Sequence, residues 1–224
     1  MRSYAHIRPH YSQAERISDG VVHLVGIGAA LVAAPTLIVT TIYSHSHAQP
    51  EAVVGAAVYG TTLILMLTLS ALYNMIRNER WSELLRRCDH SGIYLKIAGT
   101  YTPFLLLSGI PSPGLLIGLW SSALLGTVLK IIDPHRFRWI GLALYLAMGW
   151  AVVFAGQHML SELSPAVWQL ILAGGLVYTA GVGFFLMNWM PYHNTIWHVF
   201  VLTGTVLFYV AIALRISVVS NSGL

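Results

Sequence analysis

The chain has 224 residues, of which 56% belong to the apolar set and only 9% are charged. Water-soluble domains have about a quarter charged residues, so this composition excludes most soluble classes, and a mean hydropathy of +0.69 is typical of helical membrane proteins. The single cysteine, Cys88, excludes an intramolecular disulfide and a cysteine metal cluster. The formal net charge of +4 is more typical of a signal that orients a membrane protein than of a site for an anionic partner.

Seven apolar segments follow one another along the chain, each about as long as a helix that crosses a bilayer. Short polar joins that contain Pro or Gly separate them. The predicted spans are 21–43, 52–75, 91–110, 113–132, 139–157, 166–187 and 196–214. We therefore expect one all-α membrane domain over residues 1–224, a seven-helix bundle whose N-terminal segment, about residues 1–20, lies in the cytoplasm.

The basic residues predict the orientation of this bundle. Ten of the 12 Lys and Arg residues fall in the N-terminal segment, the second-to-third join and the fourth-to-fifth join, which share one side of the membrane if there are seven spans. Because positively charged loops stay in the cytoplasm, we expect a cytoplasmic N-terminus, an external C-terminus and a location in the inner (cell) membrane. Loop arginines are expected to meet anionic lipid headgroups, and no nucleic-acid partner is expected.

Polar side chains collect at the cytoplasmic ends of four predicted spans. Ionisable groups are costly in hydrocarbon and mark a functional site by default. The cluster is compatible with a metal site, a proton relay or a hydrogen-bonded plug that holds helices together. Its members are Glu15, Asp19 and His23 in the first helix, Ser70 and Asn74 in the second, Asp89 and His90 in the third, and Asn194 and His198 in the seventh.

Four sequence blocks resemble the signature blocks of bacterial hemolysin III proteins, which belong with the progestin and adiponectin receptors. The blocks are ERISDGVVHLVG at 15–26, SALYN at 70–74, DHSGIYLKIAGTYTP at 89–103 and PYHNTIWHVFVL at 191–202. The resemblance implies a seven-span bundle with its N-terminus inside. It also implies a zinc ion that three histidines hold and that an aspartate reaches through water. Alkaline ceramidases in the wider superfamily imply hydrolysis of a lipid amide as the chemistry.

The family pattern is only partly present in this sequence. Ser70 and Asp89 match the family's serine and aspartate, which implies catalytic roles for them, and His198 matches the last zinc ligand. Asn74 and Asn194 stand where the family has histidine, and an amide oxygen is a poor zinc ligand beside imidazole. We therefore expect weak or absent catalysis unless another histidine completes the site. The candidates are His23, His90 and His193.

Three functions are compatible with the sequence. The first is a protein that binds a lipid or fatty-acyl group and whose ancestral chemistry is metal-assisted hydrolysis, with Asp89 holding or deprotonating water and Ser70 orienting the ligand or the oxyanion. The second is a non-enzymatic regulator or lipid sensor, in which the polar cluster is a plug or a headgroup site. The third is a pore or cytolytic protein, which is disfavoured because the polar residues stop at one leaflet.

Overall fold

A computed structural model describes residues 11–43, 49–108 and 112–222, and these residues form eight α-helices. No strand occurs in these ranges, so the all-α prediction is confirmed for them. Six helices, all except α3 and α6, are long and apolar enough to cross a membrane. The helices are α1 (Gln13–Tyr43), α2 (Pro50–Met75), α3 (Glu79–Leu106), α4 (Pro113–Ile132), α5 (Arg138–Ala155), α6 (Gln157–Ser161), α7 (Pro165–Leu186) and α8 (His193–Ser222).

Proline and capping residues set several helix boundaries. Pro50, Pro113 and Pro165 lie in the first turns of α2, α4 and α7, where a missing N–H leaves no intrahelical hydrogen bond unmade. The Ser164 hydroxyl caps α7 by accepting a hydrogen bond from Val167 N–H at 3.4 Å. The predicted second, fourth and sixth spans therefore agree with α2, α4 and α7 to within two residues.

The segment 76–90, predicted to be a polar join, is largely helical. Helix α3 begins at Glu79, and Asn78 caps it by accepting a hydrogen bond from Arg80 N–H at 3.0 Å. Charged side chains occupy the exposed first half of this helix, so they mark a helix surface and not a loop. Asp89 therefore lies inside α3 and not at its start. The join after α5 also contains a short helix, α6.

The second half of α3 is the centre of the bundle. Tyr94, Ala98 and Phe104 on this half have no exposed surface, and α3 contacts α2, α4, α5 and α8. Because its neighbours cover it, α3 needs no apolar surface toward lipid and accommodates polar residues. This is the physical reason why α3 does not have the composition of a membrane span although it lies in the core.

Glycines allow α2 and α3 to lie in close contact, as small residues do in membrane bundles. A Cβ at Gly99 of α3 would lie 2.1 Å from Thr62 Oγ1, and a Cβ at Gly55 of α2 would lie 2.7 Å from Pro103 Cα. Any larger side chain would force the helices apart. The contact fixes the position of the N-terminal half of α3 relative to Ser70 of α2.

The turn between α4 and α5 is stabilised by Asp133. Its carboxylate accepts hydrogen bonds from the backbone N–H groups of Arg136 and His135, both at 2.9 Å. These bonds stabilise the ionised form and hold the pKa of Asp133 below its ordinary value, and the bond from Arg136 N–H has the largest effect. The turn sets the spacing between Lys130 at the end of α4 and Arg138 at the start of α5.

Lys96 of α3 is a buried cation that connects three helices. It is 4% exposed, and its Nζ donates a hydrogen bond to the Tyr178 hydroxyl of α7 at 2.8 Å. The same Nζ lies 5.1 Å from the centroid of the Tyr178 ring and 5.5 Å from that of Phe208 in α8. A hydroxyl acceptor and two aromatic faces thus stabilise the ammonium group away from water.

Tyr178→Phe tests this arrangement. The variant leaves a buried ammonium group without its hydroxyl acceptor, so the free energy of unfolding should fall by about 1.5–3 kcal/mol. The double variant Lys96→Met/Tyr178→Phe should recover most of this loss, because two apolar groups can replace a buried polar pair at little cost. Thermal unfolding of detergent-purified protein measures both effects, with Tyr43→Phe, at a tyrosine that is 82% exposed, as control. A double variant no more stable than Tyr178→Phe would contradict this account.

Candidate metal centre

Most of the polar side chains predicted to cluster at one end of the spans meet at the wall of one cavity. Helices α1, α2, α3 and α8 contribute them, and the cavity has a volume of about 640 Å³, which is within the range of small-molecule sites. The members of the predicted polar cluster that line it are Glu15, Asp19, Ser70, Asn74, Asp89, His90, Asn194 and His198. The apolar side chains include Ile93, Leu142, Tyr145, Phe185, Leu186 and Val201.

Asp19 is the centre of the polar cluster. His198 of α8 donates a hydrogen bond from Nδ1 to Asp19 Oδ1 at 2.6 Å, and His23 donates from Nδ1 to the Asp19 backbone oxygen at 2.8 Å. Both acceptors lack a hydrogen, so both imidazoles carry their proton on Nδ1 and leave Nε2 as an acceptor. All three residues are less than 10% exposed. The orientation of metal-binding histidines is fixed by this type of hydrogen bond.

The two asparagines bond to each other and to Asp19. Asn194 Nδ2 donates to Asp19 Oδ2 and to Asn74 Oδ1, both at 3.2 Å. Asn74 Nδ2 donates in turn to the Ser70 backbone oxygen at 2.9 Å. The residues at the family's two histidine positions therefore form an amide chain that connects α1, α2 and α8.

The Ser70 hydroxyl lies between two acceptors. His23 Nε2 is 3.3 Å from Ser70 Oγ, and the Ser70 side chain also hydrogen-bonds the half-buried Asp89 carboxylate. A hydroxyl has one proton to donate, so one of the two acceptors is always left over. The cluster thus has more acceptors than protons, which favours binding of a cation or a proton.

The donor set is suitable for a divalent metal ion. Asp19, His23 and His198 each offer one ligand atom, and these three atoms lie within 4.8 Å of one another. In the described ranges, no other group of three His, Cys, Asp or Glu side chains lies this close together. Two imidazole nitrogens and one carboxylate oxygen are a known catalytic zinc set. The residues fit zinc without either asparagine acting as a ligand.

Of the three histidines that were candidates to complete the site, only His23 belongs to this trio. His193 lies 3.3 Å, through Nε2, from the Tyr11 hydroxyl. His90 packs beside Tyr73, with ring centroids 6.2 Å apart. Sequence reasoning placed Asp19 in the cluster but missed its central role. The signal was the four-residue spacing of Asp19 and His23, which puts both on one face of α1.

A bundle with six apolar helices and a buried polar cluster defines an integral membrane protein of the multi-pass helical class. The chain belongs to the family described as Haemolysin-III related, whose sequence model matches residues 12–209. This confirms the resemblance carried by the four sequence blocks.

Three relatives are similar in sequence to this chain over most of its length. Hemolysin-3 of Bacillus cereus is 39% identical over 204 residues, which cover 88% of this chain and 92% of that protein. The Hemolysin-3 homolog of Bacillus subtilis is 36% identical over 203 residues, 87% of this chain and 94% of that protein. Human monocyte to macrophage differentiation factor is 26% identical over 196 residues, 76% of this chain and 80% of that protein.

Proposed function

We propose that the protein crosses the cell membrane seven times, with α3 as the seventh span beside the six apolar helices, and that its N-terminus is cytoplasmic. The burial of α3 among its neighbours supports the count. The orientation is supported by the basic residues, because members of all three basic segments line the same cavity and so lie at one end of the bundle. By the positive-inside rule this end faces the cytoplasm. The cavity residues that support this are Arg16, Arg77, Arg86, Lys130 and Arg138.

Within this topology, we propose that the protein is a metal-dependent hydrolase of an acyl lipid in the inner leaflet. The observation that carries the proposal is the convergence of Asp19, His23 and His198 beside a cavity with a long apolar wall. Zinc bound by these three residues would polarise the lipid carbonyl and make a bound water nucleophilic. A lipid amide is the substrate class that the alkaline ceramidases of the superfamily imply.

The polar residues around the trio have distinct roles in this chemistry. Without the metal, the Asp19 carboxylate holds the His198 imidazole through Oδ1. As a ligand, Asp19 would still position the His23 imidazole through its backbone oxygen. Asp89 would accept the proton that the attacking water loses and return it to the amine that leaves when the C–N bond breaks. The Ser70 hydroxyl would donate to the oxyanion that develops on the carbonyl. The apolar wall holds the acyl chain and keeps bulk water from the reacting groups.

A non-enzymatic lipid sensor is the second candidate, and the asparagines favour it. Both Asp19 carboxylate oxygens accept hydrogen bonds from protein donors, namely His198 and Asn194. The cluster can therefore hold α1, α2 and α8 together as a plug without a metal ion. In this function a lipid in the cavity changes the packing of the helices and is not cleaved.

Metal analysis tests the centre directly. Zinc-loaded, detergent-purified protein should hold about one zinc per chain, as a three-residue site predicts, when measured by plasma mass spectrometry. His23→Ala and His198→Ala each remove a ligand and should lower the zinc affinity at least roughly tenfold in chelator competition. His193→Ala, which changes a buried histidine outside the trio, should leave it unchanged. Full zinc retention in His23→Ala would rule out this ligand set.

Restoring the family residues gives a second test of the metal. Asn74→His/Asn194→His supplies imidazoles at both family positions, and imidazole is a better zinc ligand than an amide oxygen. Chelator competition should show at least roughly tenfold tighter zinc binding, with each single variant in between. Unchanged affinity in a folded double variant would mean that residues 74 and 194 do not face the metal.

Turnover separates the hydrolase from the sensor. Zinc-loaded protein is incubated with a fluorescent N-acyl lipid amide in mixed micelles, and release of the fatty acid is measured. Asp89→Asn should retain zinc but lose activity by about a hundredfold or more, because it removes the general base. Glu51→Gln also replaces a carboxylate by an amide, but at an exposed site, and should be fully active. Wild-type protein that binds zinc without turnover would support the sensor, and single-channel conductance would support the pore.

A further inference from the structure

A second part of the cavity wall is basic. We use the term basic wall for Arg86 and His90 of α3, Lys130 of α4 and Arg138 of α5, all of which line the cavity. Lys130 is 7% exposed. The metal trio comes from α1 and α8, so the basic wall belongs to other helices of the same cavity.

The side chains of the basic wall lie close together. Arg86 and Lys130 are near enough to act electrostatically on His90, and Arg138 and Arg86 act in the same way on Lys130. A Cβ at Gly141 of α5 would lie 2.7 Å from Lys130 Nζ. The lysine reaches its position over the backbone of α5 because residue 141 has no side chain.

The positive charge of the basic wall is largely uncompensated by the residues that the structure describes. Arg86 pairs with Glu83, whereas Lys130 and Arg138 have no carboxylate within 4.0 Å in the described ranges. Arg86 Nε and His90 Nδ1 are buried and make no hydrogen bond to the described part of the chain. Buried polar atoms are almost always hydrogen-bonded, so these two atoms are available to a partner in the cavity that both residues line.

Membrane orientation alone does not explain this arrangement. The positive-inside rule is satisfied by charges anywhere near the cytoplasmic ends of the spans. Arg80 of α3 satisfies this rule with an exposed side chain. Cations turned into a cavity, one of them on a nearly buried lysine, cost desolvation, and an anion in the cavity would offset that cost.

We propose that the basic wall binds the phosphate group of an anionic lipid whose acyl chains lie against the apolar part of the same cavity. Arginine and lysine together bind the several oxygens of a phosphate group. The apolar wall, which includes Leu142 and Tyr145, favours a lipid over a soluble phosphate. This inference rests on the proposed lipid-binding function and names the class of lipid as phosphorylated.

Lipid binding to the intact protein tests the proposal. Short-chain phosphatidic acid should raise the melting temperature of detergent-purified protein in a saturable way, whereas phosphatidylcholine of the same chain length and inorganic phosphate should not. Lys130→Gln/Arg138→Gln should bind phosphatidic acid about tenfold to a hundredfold more weakly, because two charged hydrogen-bond donors are lost. Arg80→Gln removes the same charge outside the cavity and should bind like the wild type.

The controls distinguish this inference from the metal chemistry. His198→Ala should lose zinc and still bind phosphatidic acid, so failure of the metal centre leaves the basic wall testable. Lys130→Arg/Arg138→Lys keeps both charges and should bind phosphatidic acid. This variant tests the proposal if the glutamine variant fails to fold. Equal binding of phosphatidic acid by Lys130→Gln/Arg138→Gln and Arg80→Gln would overturn the proposal. Equal stabilisation by inorganic phosphate would assign the wall to a soluble anion, which also contradicts a lipid site.

Discussion

The buried carboxylate of Asp19 is the group on which the rest of the site depends. A carboxylate that is 8% exposed is stable in a membrane bundle only if strong donors surround it. His198 and Asn194 supply those donors from α8, and His23 is held one turn further along α1 by the Asp19 backbone. The hydrogen bonds of this one carboxylate thus join α1 to α8, and with the His23 bond they define which nitrogen of each imidazole is free.

The asparagines at the family's histidine positions are explained by the same charge. An amide both donates and accepts, so Asn194 of α8 can donate to Asp19 of α1 and to Asn74 of α2 at once, and Asn74 donates back to the α2 backbone at Ser70. A carboxylate and His23 on α1 bring metal-type ligands from a helix that the family pattern does not use. The candidate donor set therefore lies on α1 and α8, and the amides connect α2 to it.

The sequence predicts the depth of the site better than its contacts. Apolar length and proline positions place the ends of α2, α4 and α7, and the four-residue spacings of Asp19 with His23 and of Asn194 with His198 place each pair on one helix face. The rotation of each helix about its axis is not encoded in such spacings. It depends on close contacts such as that between Gly99 and Thr62, so the trio could not be distinguished from its neighbours at the same depth.

The segment 76–90, predicted to be a polar join, contains the part of α3 that divides the cavity. Charge made residues 76–90 look like a join, yet Glu83 pairs with Arg87 one turn later, which stabilises an exposed helix. Successive helical residues point about 100° apart, so Asp89 faces Ser70 while His90 faces Lys130. Adjacent residues of α3 therefore face two different parts of the cavity, the polar cluster around Asp19 and the basic wall. The proposed lipid, with an anionic head and a polar linkage, would satisfy both walls at once.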